Sequence, residues 1–212
     1  MASRVPAILD ATDPCSPLFI PNSQTALFLM DYHNFVVEAM GEEGERAVSS
    51  ARKMQEWAAD NQILVVHCLV ELDGQSPMPS SKSAGRFKVM QEMLRAKPAS
   101  QDEDERLAKI AANEGMDARR PGFISVLQGP NLRQKLEASS VKSLILCGLS
   151  TSGCLLSTCR AATDAEYIVT VIEDACADGV PGLHDMLMKH VISSTAHVVK
   201  GAELIEAWKR RP

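Results

Sequence analysis

The 212-residue sequence contains no long run of one charge. Its 22 Lys and Arg are scattered among 27 Asp and Glu, for a formal net charge of -5. A dedicated nucleic-acid surface needs clustered basic residues, so no nucleic-acid partner is expected. No apolar stretch reaches the length that spans a bilayer, so no membrane partner is expected either. The opening MASRVPAILD has one Arg and no secretory apolar run, which leads us to expect a cytoplasmic location. There is no internal repeat and no linker that splits the chain. The six cysteines include no CxxC pair, and a chain of this length needs no disulfide staples. They are read as free thiols in a reducing compartment, with Cys15 the least expected to be buried.

What is present is an alternation of apolar strands and amphipathic helices. Residues 1–23, rich in Pro, Ser, Asp and Asn, read as an N-terminal arm, and 24–212 as one domain. QTALFLMD (24–31) and NQILVVHCLV (61–70) are short apolar runs of the kind that become buried strands. Between them, residues 42–60 place Ala47, Ala51, Met54, Trp57 and Ala58 on one helical face. Strand, helix and strand make a βαβ unit with a right-handed crossover. Residues 71–85 are long loop chemistry and suit the border of a site. A short helix is expected over 86–97 and another over 101–115. Residues 116–121 give no clear signal, and 132–139 read as helical. Strands are expected at 141–150, 168–174 and 195–199, with helices at 157–167, 182–191 and the C-terminal end. The pattern predicts an α/β fold with a mostly parallel sheet covered on both faces. Ligands of such sheets bind beyond the carboxyl ends of the strands.

Two residues stand at that edge. Asp31 closes the first strand, where an acid can serve as a general base, and Cys154 follows the strand 144–149. Cys154 lies in GLSTSGCLLST, a tight turn rich in small residues that leads into a helix. The backbone N–H groups of Gly153 and Cys154 are candidate oxyanion donors, and a helix start favours the thiolate. The plainer readings are a loop anchor for Asp31, and a buried structural or redox-sensitive thiol for Cys154.

Two segments resemble the isochorismatase-like cysteine hydrolase superfamily. ALFLMDYHNFV (26–36) is similar to its first strand, with Asp31 at the catalytic Asp, His33 where Gln is usual, and Asn34 retained. LILCGLSTSGCLLSTCRAATDAEYIVTVIEDACAD (144–178) is similar to its long signature, with Gly148, Thr151, Cys154, Thr158, Ala161, Asp164, Ala165, Glu173, Asp174 and Ala175 in place. The resemblance implies a three-layer αβα Rossmann-like fold with a six-stranded parallel sheet. It implies an Asp-Lys-Cys triad, a cis peptide at Leu149-Ser150 or Ser150-Thr151, and a homo-oligomer, either a dimer or a tetramer. The implied reaction is hydrolysis of a small-molecule amide or ureide C–N bond. The alternatives are vinyl ether hydrolysis of the isochorismatase type, or a degenerate member that binds or scaffolds.

One departure bears on the chemistry. The lysine position falls in GMDARRPGFISVL (115–127), which carries Arg119 and Arg120 and no Lys. An arginine there can bias the thiol or clamp a ligand carboxylate, but it is a poor proton shuttle. The surface reading of both arginines stays open. His33, Ser150 and Thr151, with Arg86 and Phe87 in the 71–90 region, are the candidate substrate contacts. The Asp-x-His spacing of metal-holding relatives is missing after the second strand, so no metal and no cofactor are expected. His67, in mid-strand, reads as a satisfied core histidine.

Overall fold

The computed structural model describes residues 9–72, 80 and 82–211, and leaves the side chains of Ser83, Ala84 and Arg86 undescribed. Most of the 71–85 loop and the first eight residues of the arm therefore lie outside the described residues. Six parallel strands form one sheet in the order β3-β2-β1-β4-β5-β6. They are β1 (Thr25–Met30), β2 (Leu64–Val70), β3 (Glu114–Arg119), β4 (Ser143–Leu149), β5 (Ile168–Ala177) and β6 (His197–Val199). Seven α-helices accompany them among the described residues: α1 (Asn34–Met40), α2 (Glu42–Asp60), α3 (Ser83–Arg95), α4 (Leu132–Ala138), α5 (Leu156–Asp164), α6 (Leu183–His190) and α7 (Gly201–Lys209). This is the mostly parallel, doubly covered sheet expected from the strand pattern, and the three-layer αβα Rossmann-like fold that the family resemblance implies.

Chain order reverses between β1 and β4, the two central strands. Every residue of both is buried, as their continuous apolar sequences require. Gly148 makes their pairing tight, since a Cβ there would stand 2.8 Å from the Met30 Cβ and 3.0 Å from the Met30 carbonyl oxygen. One core layer lies under α2 and α7, where Trp57 and Trp208 meet edge to face at 5.1 Å. The other lies under α5 and α6, around Phe28, Leu144 and Leu155. Asp174 ties the first layer together, accepting from the Ser50 hydroxyl at 2.7 Å and the Gly201 amide at 2.8 Å.

The segment at 101–115 differs from expectation. It holds a 3-10 turn (Glu105–Leu107), irregular chain, a turn at 111–113 and the first two residues of β3 rather than a helix. Tertiary contacts override its helix-like pattern. Glu103 pairs with His67, Asp104 binds Arg106, and the amides of Asn34 and Asp104 tie 102–104 to residues 32–34. Leu107 is fully buried. The weakly patterned 116–121 region is mostly β3, an edge strand. The described end of the arm packs on the domain: Leu18 and Ile20 are buried, and Arg211 donates to the Ile20 carbonyl at 2.8 Å.

Candidate active site

Three strand ends meet where the chain order reverses. Asp31 follows β1 with φ 57, a left-handed conformation that turns its carboxylate over the sheet edge. Its amide donates to the Cys68 carbonyl at 2.9 Å, which fixes it against β2. Arg119, the last residue of β3, reaches across the end of β2 to it. The guanidinium grips the carboxylate with both terminal nitrogens, Nη1 to Oδ1 at 2.9 Å and Nη2 to Oδ2 at 2.6 Å. It also donates from Nε to the Phe123 carbonyl at 2.8 Å and from Nη1 to the Leu69 carbonyl at 3.2 Å. Arg119 is 3% exposed and Asp31 8%.

Strand alternation decides between the two arginines. Arg119 turns into the site, whereas Arg120 is exposed and stacks its guanidinium 4.2 Å from the Phe123 ring centre. Arg119 and Asp31 both line a cavity of about 570 Å³ together with Cys154. Arg120 does not.

Cys154 sits in a wide helical turn (Thr151–Leu155) between β4 and α5. The peptide bond Leu149-Ser150 is cis, the first of the two positions expected. Gly153 allows the turn to close tightly, because a Cβ there would stand 2.7 Å from the Ser150 Oγ. The Gly153 amide donates to the Ser150 carbonyl at 3.2 Å. The Cys154 thiol donates to the Leu149 carbonyl at 3.1 Å.

The electrostatics reverse one expectation. Burial and the Asp31 carboxylate push the Cys154 thiol well above its ordinary value, and the Arg119 charge only partly offsets them. The resting group is therefore the protonated thiol, since desolvation and a nearby anion outweigh the helix start and the cation. Burial works against the Arg119 charge, but Asp31 overcomes it and raises the guanidinium further.

The remaining candidates separate by what they touch. Phe87, Ser150 and His33 line the cavity. Both His33 ring nitrogens are already used: Nδ1 donates to the Gln101 carbonyl at 2.5 Å, and Nε2 accepts from the Val70 amide at 3.3 Å. A carbonyl only accepts and an amide N–H only donates, so the ring is neutral with its proton on Nδ1. Thr151 is buried behind the turn, donating to the Ala177 carbonyl at 3.1 Å and meeting His184 Nδ1 at 2.8 Å. It does not line the cavity. The Arg86 side chain lies outside the described residues. His67 is the satisfied core histidine, held between Glu103 at 2.8 Å and Glu114 at 3.2 Å.

The sequence reading missed Asp178, which lines the cavity and accepts from the Ser152 and Val180 amides. An acid just past a strand was the cue that marked Asp31, but β5 runs on to Ala177, beyond the end expected at 174, so Asp178 did not read as a strand-end acid. Among the described residues, no group of His, Cys, Asp and Glu is arranged to hold a metal ion.

The isochorismatase domain model matches residues 25–203, which include all three strand ends of the site. The chain belongs to the isochorismatase family. Curated relatives include the uncharacterized isochorismatase family protein YddQ of Bacillus subtilis, 34% identical over 58 residues, 27% of this chain and 32% of that one. A second is YecD of Escherichia coli O157:H7, 28% identical over 79 residues, 37% of this chain and 42% of that one. The matched stretches thus span less than half of either relative. The fold of this isochorismatase-family chain recurs in a cysteine hydrolase from Pseudomonas syringae, with TM-score 0.76, 20% identity, and 91% of this chain and 96% of that chain covered. It recurs in N-carbamoylsarcosine amidase from Thermoplasma acidophilum, with TM-score 0.65, 20% identity, and 84% and 96% covered.

Proposed function

We propose that this protein cleaves a small-molecule amide or ureide C–N bond with Cys154 as nucleophile and Asp31 as general base. The observation that carries the reading is the convergence of Cys154, Asp31 and Arg119 on one cavity, with the thiol neutral at rest. The thiol proton passes to Asp31 as sulfur bonds to the carbonyl carbon. The backbone amides of Gly153 and Cys154 stabilise the oxyanion, with Gly153 exchanging its Ser150 contact for it. Asp31 returns the proton to nitrogen, the C–N bond breaks, and ammonia or an amine leaves a thioester. Water then loses a proton to Asp31 and releases the acid, and the thiol forms again. Arg119 stays charged and acts as a positioning residue that holds the carboxylate. An amidase among the structural neighbours is in keeping with this chemistry.

The reading is tested by ammonia release from a panel of small primary amides. Native protein should turn over some of them, and Cys154→Ala and Asp31→Asn should each lower the rate by at least about a hundredfold. Undiminished turnover in Cys154→Ala would remove the nucleophile. A second reading, binding without turnover, is favoured by the two-pronged grip of Arg119 on Asp31, which occupies the base. Ammonia release by Arg119→Lys but not by native protein would decide for it. The proposal further places the enzyme in the cytoplasm, in line with its six free thiols, and as a dimer or tetramer.

A further inference from the structure

An arginine in an active site ordinarily signals an anionic ligand, and here its bonds argue the reverse. A guanidinium has five N–H donors. Arg119 commits four of them: two to Asp31, one to the Leu69 carbonyl and one to the Phe123 carbonyl. Its charge is matched by the carboxylate it grips. The other charged group among the described lining residues is Asp178, so Asp31, Arg119 and Asp178 sum to one negative charge. His33 adds none, because both ring nitrogens are spent.

The rest of the wall is mainly apolar. α1 contributes Phe35 and Met40, α3 contributes Phe87 and Met90, and the chain after β3 contributes Phe123 and Ile124. A volume of about 570 Å³ is ample for a ring-bearing molecule. Among the described side chains a ligand carboxylate would meet one net negative charge and no unpaired cation. Burying such a group unpaired is strongly unfavourable.

We infer that the site takes an uncharged amide or ureide whose acyl side carries an apolar, ring-sized group, and that it rejects the carboxylate-bearing counterpart. The inference rests on the C–N hydrolase reading and names its substrate class. It also sets isochorismate, a dicarboxylate, among the disfavoured ligands.

The test pairs molecules that differ by one carboxylate: benzamide and phenylacetamide against 4-carbamoylbenzoate and 4-(carbamoylmethyl)benzoate. Ammonia release by native protein gives kcat/KM for each. Thermal shift of Cys154→Ala, which should not turn over, reads binding separately. The neutral member of each pair should be favoured by at least about tenfold in kcat/KM, and it alone should raise the melting temperature of Cys154→Ala. Phe123→Arg, which adds a cation to the wall, should narrow the gap. Equal or better use of the carboxylated member overturns the inference, as does failure of both members to stabilise Cys154→Ala. If neutral amides stabilise that variant while native protein releases no ammonia, the hydrolase reading fails and the recognition inference stands.

Discussion

Arg119→Met offers the sharpest test of how the site is held. The substitution keeps a long apolar stem but deletes four hydrogen bonds, two of them to a carboxylate. With side-chain exposures of 3% for Arg119 and 12% for Asp31, water can do little to replace them. Removing one partner of a buried pair typically costs about 3–5 kcal/mol, because the remaining charge is stranded. Asp31→Asn in the same background removes that stranded charge, and Asn accepts the left-handed conformation at this position. Urea denaturation at neutral pH should therefore show Arg119→Met destabilised by about 3–5 kcal/mol. The double variant should be at least about 1 kcal/mol more stable than the sum of the two single effects. A single-variant loss below about 1 kcal/mol, or strict additivity, would mean that the pair is solvated and that the geometry argument is wrong.

Four further outcomes follow from the structure. Alkylation of Cys154 by iodoacetamide at neutral pH should be slower than that of a free thiol, and Asp31→Asn should accelerate it while lowering turnover; a slower reaction would mean that the carboxylate does not suppress the thiolate. Burial opposes the charge on His67, but Glu103 and Glu114 outweigh it and raise the group above 6.5. The stabilisation from His67 is therefore complete below pH 6.5 and fades as pH climbs through the raised value, so melting temperature between pH 6.5 and 8 should fall less steeply in His67→Gln. Gly148→Ala should cost about 1–3 kcal/mol in denaturant melts, because the new methyl meets the Met30 backbone across the central strand pair. Gly153→Ala meets only a rotatable serine hydroxyl and should affect turnover more than stability.

Five strands were legible: β1, β2 and β4, whose burial leaves continuous apolar runs, and β5 and β6, expected at 168–174 and 195–199. β3 was not, because EGMDAR carries its acids inward. Glu114 takes His67 and Gln55, the latter at 3.1 Å, on Oε2 while its buried Oε1 has no partner, and Asp117 accepts from the Asn131 amide at 3.2 Å. Those partners come from elsewhere in the chain, and no local pattern announces them. The same holds for 101–115, whose helix-like acids are spent on His67 and Arg106. α1 was not anticipated, although it supplies part of the cavity wall. Asp31 and Cys154 were legible because strand ends mark the ligand edge of such a sheet. The choice between Arg119 and Arg120 was not, since it depends on which face of β3 each occupies. Thr151 and His33 show the converse: well placed in the sequence, each spends its polar atoms on the backbone or on another side chain.

The strand order carries a consequence for how this site can fail. Asp31 and Cys154 come from the two innermost strands, but the arginine that holds Asp31 comes from the outermost, with β2 between. Pairing slippage by one residue along β3 would present Ala118 or Arg120 in place of Arg119 and turn the guanidinium to the opposite face. Fraying confined to that rim would release the Asp31 carboxylate while the core and the thiol stayed intact. Loss of activity on mild heating or in dilute denaturant should therefore precede loss of overall structure, with exchange at the β2–β3 amides as its earliest sign.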